Sequence, residues 1–186
     1  MNGIEKKLME EQNLAKDNDY FTDSTTVDDT RITAETHATD SYQNVLFSLI
    51  RFRLHIGVYP ERVTVVTHEF KRERFMECHF PALGLDNASR LRLIGINPPE
   101  EVTPGKELVE GEGKRGIGLW RVDMYGVGKE LAGKRAKRGW VRGMERDAFF
   151  GMELEPVVEQ LACWDGGNRG NSRFPKLSEL PWYRRS

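Results

Sequence analysis

The chain has 186 residues, 38% of them hydrophobic and 31% charged, with a formal net charge of −1. That length suits one domain of ordinary size, or a smaller one with tails, and a charge near zero excludes a global pull toward nucleic acid or acidic membranes. The average hides an asymmetry: residues 1–40 hold ten acids against four bases, whereas residues 111–142 hold nine bases against three acids.

Residues 4–15 can form a helix with Ile4 and Leu8 facing inward. Residues 16–30 are polar and acidic throughout. The pair Asp28-Asp29 lacks the ligand spacing of a calcium loop, so this segment reads as a solvated linker. Residues 31–35 are a short strand candidate ending in Glu35. Asp40, with Gln43 three residues on, resembles a capping box and opens a helix. Tyr42, Val45, Leu46, Leu49, Ile50 and Phe52 or Arg53 carry its inward face to about His55, and Gly57 stops it. Ser41 and Asn44, three apart in the first turn, read in isolation as helix-start residues.

Val63 to Thr67 is a β-branched run of the kind buried on both faces of a parallel sheet. A short turn over His68 to Phe70 leads into helical spacing from Lys71, with Phe75, Cys78 and Ala82 on one face, until Leu83-Gly84. Strand, turn and helix make half of a βαβ unit, and ligands collect at the carboxyl ends of such strands. Here that end carries Thr67, His68, Lys71, Arg72 and Arg74 beside a helix start, where anions are favoured. Residues 90–96 alternate and then become apolar, as a further strand would, and Asn97-Pro98-Pro99 ends it.

A Glu/Gly/Lys-rich stretch follows over residues 100–116. Its two Gly-x-Gly units do not directly follow a strand, which argues against a nucleotide fingerprint. Residues 119–134 are read as helical despite Gly126, Gly128 and Gly133, each costing roughly 1 kcal/mol relative to alanine. The basic run over 134–138 closes that helix. Cations there suit the helix dipole, and no aromatic residues alternate with them as a stacking platform for nucleic acid requires. Residues 155–164 make a last amphipathic helix, and the tail to Ser186 is loop-like, with Trp182 and Tyr183 as docking anchors.

Cys78 and Cys163 form no CxxC pair, so no disulfide framework is expected. Cys78 reads as a small core residue rather than a nucleophile. With no signal-like segment and no run near the roughly 18 apolar residues of a membrane span, the expected location is cytoplasmic.

Two blocks carry a family resemblance. Glu35-Thr-His-Ala-Thr-Asp-Ser-Tyr-Gln-Asn44 resembles the motif E-x-x-S-x-x-T-x-E-N of the domain-of-unknown-function 218 family, the SanA-, ElyC- and YdcF-like proteins. Val66-Thr67 through Lys71 and Arg74 resembles that family's second block, a strand ending V-T-S followed by a His and an Arg on the next helix. Fungal cytosolic members look closer still, through Phe70-Lys-Arg-Glu-Arg-Phe75, Gly95 to Pro99, and Asp123 to Gly126. The resemblance covers roughly residues 31–138. Ser41 stands for the usual Thr, Ala38 for Ser, Gln43 for Glu, and Lys71 for the bacterial His. These changes disfavour proton transfer and favour anion binding. Family members begin with a further strand and a Gly-Gly loop, and neither is seen before residue 31.

The resemblance implies an α/β fold: a Rossmann-like three-layer sandwich with a small, mostly parallel sheet, truncated at its N-terminus. It divides the chain into a helix and acidic linker (1–30), an α/β core (31–140) and a C-terminal helix with tail (141–186). It implies a site at the sheet's carboxyl edge built from Glu35, Ser41, Asn44, Thr67, Lys71 and Arg74. The ligand expected there is small and anionic or nucleotide-like, with S-adenosylmethionine among the candidates. No metal, nucleic acid or membrane is expected, and no agreed reaction follows. The alternative is a non-catalytic interaction protein that uses residues 119–138 and the aromatic tail as its contact surface.

Overall fold

The computed structural model describes residues 33–85, 89–149, 151–167 and 170–184. The expectations for residues 4–30 lie outside the described residues. The architecture is a small α/β fold in which a two-stranded parallel sheet is packed among helices.

The first helix, α1, spans Ser41–Ile56. Asp40 caps it by accepting the Gln43 N–H at 2.9 Å. Gln43 reaches back, and its Oε1 accepts both the Thr39 N–H (2.9 Å) and the Thr39 hydroxyl (2.6 Å). The expected capping box is thus present, with the return bond shifted by one residue. Gly57 ends the helix at φ 91°, a left-handed conformation that glycine adopts without steric cost. Tyr42, Val45, Leu46, Leu49 and Ile50 are buried, as their spacing predicts. Asn44, Ser48 and Phe52, at i, i+4 and i+8, form a separate exposed stripe on the same helix.

Strand β1 is Val63–Thr67 and strand β2 is Leu91–Gly95, paired in parallel from Val63 opposite Leu91 to Thr67 opposite Gly95. The end bonds of the ladder are Val63 N–H to the Arg90 carbonyl (2.9 Å) and Ile96 N–H to the Thr67 carbonyl (2.8 Å). Main-chain groups alternate edges along a strand, so those of Thr64 and Val66 face the other edge of β1. No strand pairs with that edge among the described residues. The expectation that β1 is buried on both faces is therefore corrected. Val63, Val65 and Thr67 are half-buried, while Thr64 and Val66 are exposed, Val66 by 63%. A β-branched run reports suitability for a sheet, but a second buried face needs another covering layer. Of the strand expected over residues 31–35, residues 33–35 are irregular, and residues 31–32 lie outside the described residues.

Between the strands runs one helical segment, α2, made of a 3-10 turn (Glu69–Lys71), an α turn (Arg72–Arg74), a π turn (Phe75–His79) and an α turn (Phe80–Ala82). Its widening has a local cause. Pro81 has no N–H to donate, and its ring would crowd the carbonyl four residues back. The ladder opens just before it, with the Phe80 N–H bonded to the Phe75 carbonyl. Gly95 lies beneath the start of α2, where a β-carbon would come within 2.7 Å of the Glu69 α-carbon. Only glycine fits that approach.

Beyond β2, the Glu/Gly/Lys-rich stretch forms a helix, α3 (Gly105–Arg115), followed by α4 (Ile117–Trp120) and α5 (Lys129–Ala136). The single helix expected over 119–134 is instead two, separated by a turn in which Asp123 accepts the N–H groups of Val127 and Gly128. Helices α6 (Met144–Ala148) and α7 (Pro156–Ala162) follow. The tail is buried rather than peripheral. Phe174, Leu180 and Trp182 belong to the same apolar cluster as α1, α2 and α7, and the Trp182 indole N–H donates to the Leu83 carbonyl at 2.7 Å. The described residues of 141–184 thus share one core with those of 33–140. No helix among the described residues is long and apolar enough to cross a membrane.

Candidate functional site

A groove of about 770 Å³ runs along the open edge of β1. One wall is the α1 stripe of Ser41, Asn44, Ser48 and Phe52, and Thr64, Val66 and Thr67 of β1 lie opposite. At the carboxyl end of β1 it is closed by Lys71, Arg74, Arg115, Lys134 and Arg138. At the other end Pro60 and Arg62 flank it.

Five of the six expected site residues, Ser41, Asn44, Thr67, Lys71 and Arg74, line this one groove. Glu35 does not. Its carboxylate turns onto its own loop, accepting the N–H groups of His37 (2.7 Å) and Ala38 (3.1 Å). It shapes the approach to α1 and has no place in the groove wall. Arg72 and His68 also fall outside. Arg72 pairs with Glu69 across one turn, and the His68 ring stacks on Phe70.

Arg74 is held by two partners. Its guanidinium forms a two-pronged pair with the buried carboxylate of Glu112 and donates to the Ser41 hydroxyl at 3.2 Å. Glu112 also accepts the Ile117 N–H at 3.1 Å, which ties Arg74 to the α3–α4 junction. Ser41 has a second neighbour that the sequence did not suggest, the His79 Nε2 at 2.8 Å. His79 is fully buried, and burial first, then Arg74 and Arg135, hold it well below the ordinary histidine range, so the ring is neutral. Its Nδ1 has no hydrogen-bond partner among the described residues. Because a buried orphan N–H is rarer than an under-used acceptor, the proton belongs on Nε2 and is donated to Ser41. The Ser41 oxygen then accepts from both His79 and Arg74, which leaves its own proton to donate into the groove.

Lys71 is only lightly committed. It makes no ion pair among the described residues, and its ammonium lies 5.6 Å from the Phe70 ring centroid. Burial, then the nearby Arg74, lower its pKa from the ordinary lysine value. Lys134 is lowered in the same way by burial and by Arg74, Arg138 and Arg115. Its ammonium donates to the Arg115 carbonyl, and Arg138 donates to the Thr39 carbonyl at 2.6 Å. Asp40, the other acid at the rim, is already paired with the buried Arg135. The closed end therefore gathers five cations against one carboxylate, Glu112, in a half-dry setting. Arg115, Lys134 and Arg138 were visible in sequence as basic residues. Nothing in the sequence placed them beside Lys71.

Cys78 faces the core, where burial pushes its thiol up to about 11, in keeping with a structural residue.

Comparison with known proteins adds one relative. The chain is 27% identical over 171 residues to a Saccharomyces cerevisiae protein named "Uncharacterized protein YOR238W", a match covering 88% of this chain and 50% of the yeast protein. The chain thus spans about half the length of that curated relative. No family model matches the chain, and no solved structure matches it.

Proposed function

We propose that the protein binds a small anionic, nucleotide-like ligand in the groove beside β1, at the carboxyl edge of the sheet. The observation that carries this reading is the convergence of Lys71, Arg74, Arg115, Lys134 and Arg138 on one end of a cavity of about 770 Å³. Cavities of this size are typical of small-molecule sites. Lys71 neutralises ligand charge, with Arg74 held beside it by Glu112. Ser41 and Asn44 donate from the first turn of α1, where the helix dipole adds to the attraction for an anion. Thr67 supplies a hydroxyl from the end of β1. The resemblance to the domain-of-unknown-function 218 family supports the same edge as the site.

Among the candidate ligands, phosphate esters suit the groove better than S-adenosylmethionine, whose sulfonium would face a cationic rim. No reaction is assigned. The two free cysteines accord with a cytoplasmic setting. The alternative, an interaction surface on residues 119–138 and the tail, has less support. Lys134 and Arg138 face the groove, and Trp182, only 2% exposed, anchors the tail to the protein's own core.

A thermal-shift screen of phosphate esters, nucleotides and S-adenosylmethionine tests the reading. A ligand at 100 times its dissociation constant should stabilise the fold by about 2.7 kcal/mol, and Lys71→Ala should remove the shift. Absence of any shift across the anionic compounds would reject it.

A further inference from the structure

We infer that the ligand carries a polyphosphate chain, as a nucleoside triphosphate does, with its outer phosphates held by Arg115, Lys134 and Arg138. The inference rests on the anion-site reading above and extends it to residues outside the motif blocks.

Charge counting is the first argument. Among the described residues, the closed end of the groove holds five cations and one compensating carboxylate, an excess of four positive charges. A single phosphate ester, at about two negative charges, would leave roughly half of that excess unmatched, and each further phosphate adds charge. Position is the second. Lys71 and Arg74 come from α2, Arg115 ends α3, and Lys134 and Arg138 lie in and just beyond the last turn of α5. A basic residue at a helix C-terminus normally needs no explanation beyond the dipole. Here two helices bring theirs to one cavity that a third helix already makes cationic. The lowered pKa of Lys71 and Lys134 agrees: burial comes first, then the neighbouring arginines, which together outweigh the opposing Glu112.

The remainder of the groove fits the nucleoside. From Thr67 back to Val63 the strand spans about 13 Å at the usual rise. That stretch offers the exposed Phe52 ring, the Val66 side chain and the main-chain groups of Thr64 and Val66, which no strand among the described residues pairs. An aromatic face and a strand edge with free N–H and C=O groups suit a heterocyclic base.

Titration calorimetry in buffer containing EDTA would compare adenosine monophosphate, adenosine triphosphate and inorganic triphosphate. Adenosine triphosphate should bind roughly tenfold or more tightly than the monophosphate, since added charge-assisted contacts are strong. The double variant Arg115→Ala/Arg138→Ala, both exposed residues, should lower triphosphate affinity by a much larger factor than monophosphate affinity and so erase that advantage. Lys137→Ala, which does not line the groove, serves as the control for general charge loss. Melting curves would check that each variant folds. Equal affinity for mono- and triphosphate would overturn this inference and leave the anion-site reading standing. Equal affinity for inorganic and adenosine triphosphate would overturn its nucleoside part. Failure of all three probes to bind would remove both.

Discussion

The C-terminal tail and strand β1 make opposite use of their residues. Among the described residues the tail has little regular structure, with a 3-10 turn at Leu177–Glu179, yet Phe174, Leu180 and Trp182 are nearly sealed from solvent. β1 is a regular strand, laddered to β2 along its length, with the most β-prone run in the chain, yet among the described residues one of its edges and one of its faces stand open. Regularity and burial are separate properties here. A ladder needs one neighbour, whereas burial needs partners on every side. The tail finds them through three large side chains and through hydrogen bonds such as Trp182 indole to Leu83 carbonyl and Phe174 N–H to Tyr125 hydroxyl.

The contrast can be broken most severely at the tail. Trp182→Ala should cost about 3–5 kcal/mol, the usual range for an aromatic lost from a core, read as a lower midpoint in denaturant unfolding. If β1 then kept its amide protection while the tail exchanged freely, the two regions would not share one cooperative core.

The next largest effect concerns what the open side of β1 is used for. Arg74→Ala should weaken phosphate-ester binding by about 1.5–3 kcal/mol, as expected for a lost charge-assisted contact, whereas Arg72→Ala should change it little. Since Arg74 also neutralises Glu112, the pair Arg74→Ala/Glu112→Gln separates lost binding from lost folding. Equal dissociation constants for the two single variants would detach the groove from the cations of α2.

Gly95→Ala should destabilise by about 1–3 kcal/mol through overpacking against the Glu69 backbone. Glu69→Ala should not rescue it, because the obstacle is a main-chain atom. Rescue would mean that α2 does not lie so closely over the end of β2.

His79 predicts a pH dependence. Folded His79 is held neutral well below its ordinary 6.5, so below that pH the unfolded chain takes up a proton that the folded chain refuses. Its contribution is fully present above pH 6.5 and is lost as pH falls from there toward the folded value, at up to about 1.4 kcal/mol per pH unit. His79→Gln should flatten that part of the stability curve between pH 6.5 and 5. An unchanged slope would assign the acid sensitivity to other groups.

The smallest change in stability is expected on β1 itself. Val66→Lys should alter stability by no more than about 0.5 kcal/mol, as at other exposed positions. It should nevertheless reduce any concentration-dependent light scattering, because a charge protects an open strand edge. A large loss of stability would show that Val66 is covered in solution.

The elements that were legible in sequence are those whose signals are local. Asp40, Gln43 and Gly57 bounded α1, the β-branched run gave β1, and Pro98-Pro99 ended β2. The bulk of the candidate site was legible too, since Ser41, Asn44, Thr67, Lys71 and Arg74 all sit where a strand or loop meets a helix, and the parallel topology collects such junctions. Glu35 was misjudged because a carboxylate two residues before an amide can satisfy its own loop, and motif spacing does not reveal that. Helix α3 was missed because glycines at 105, 111 and 113 mask a segment stabilised by its contacts, with Glu112 as its one buried side chain. His79 joined Ser41 from 38 residues away, a relation carried by the widened turn of α2 and by no pattern in the chain.

That widened turn has a consequence for how the molecule can be altered. A π turn amounts to one extra residue inserted in an α-helix, and Phe75–His79 separates the cations of α2 from its core-facing end. Deleting the exposed Met76 would restore α spacing and turn everything upstream by about 100° relative to everything downstream. Lys71 and Arg74 would swing away from α1, while Phe80, Ala82 and Leu83 could keep their places. The extra residue therefore acts as an angular offset between two functions of one helix, so that changes in length at this point re-aim the groove and changes elsewhere in the segment repack the core.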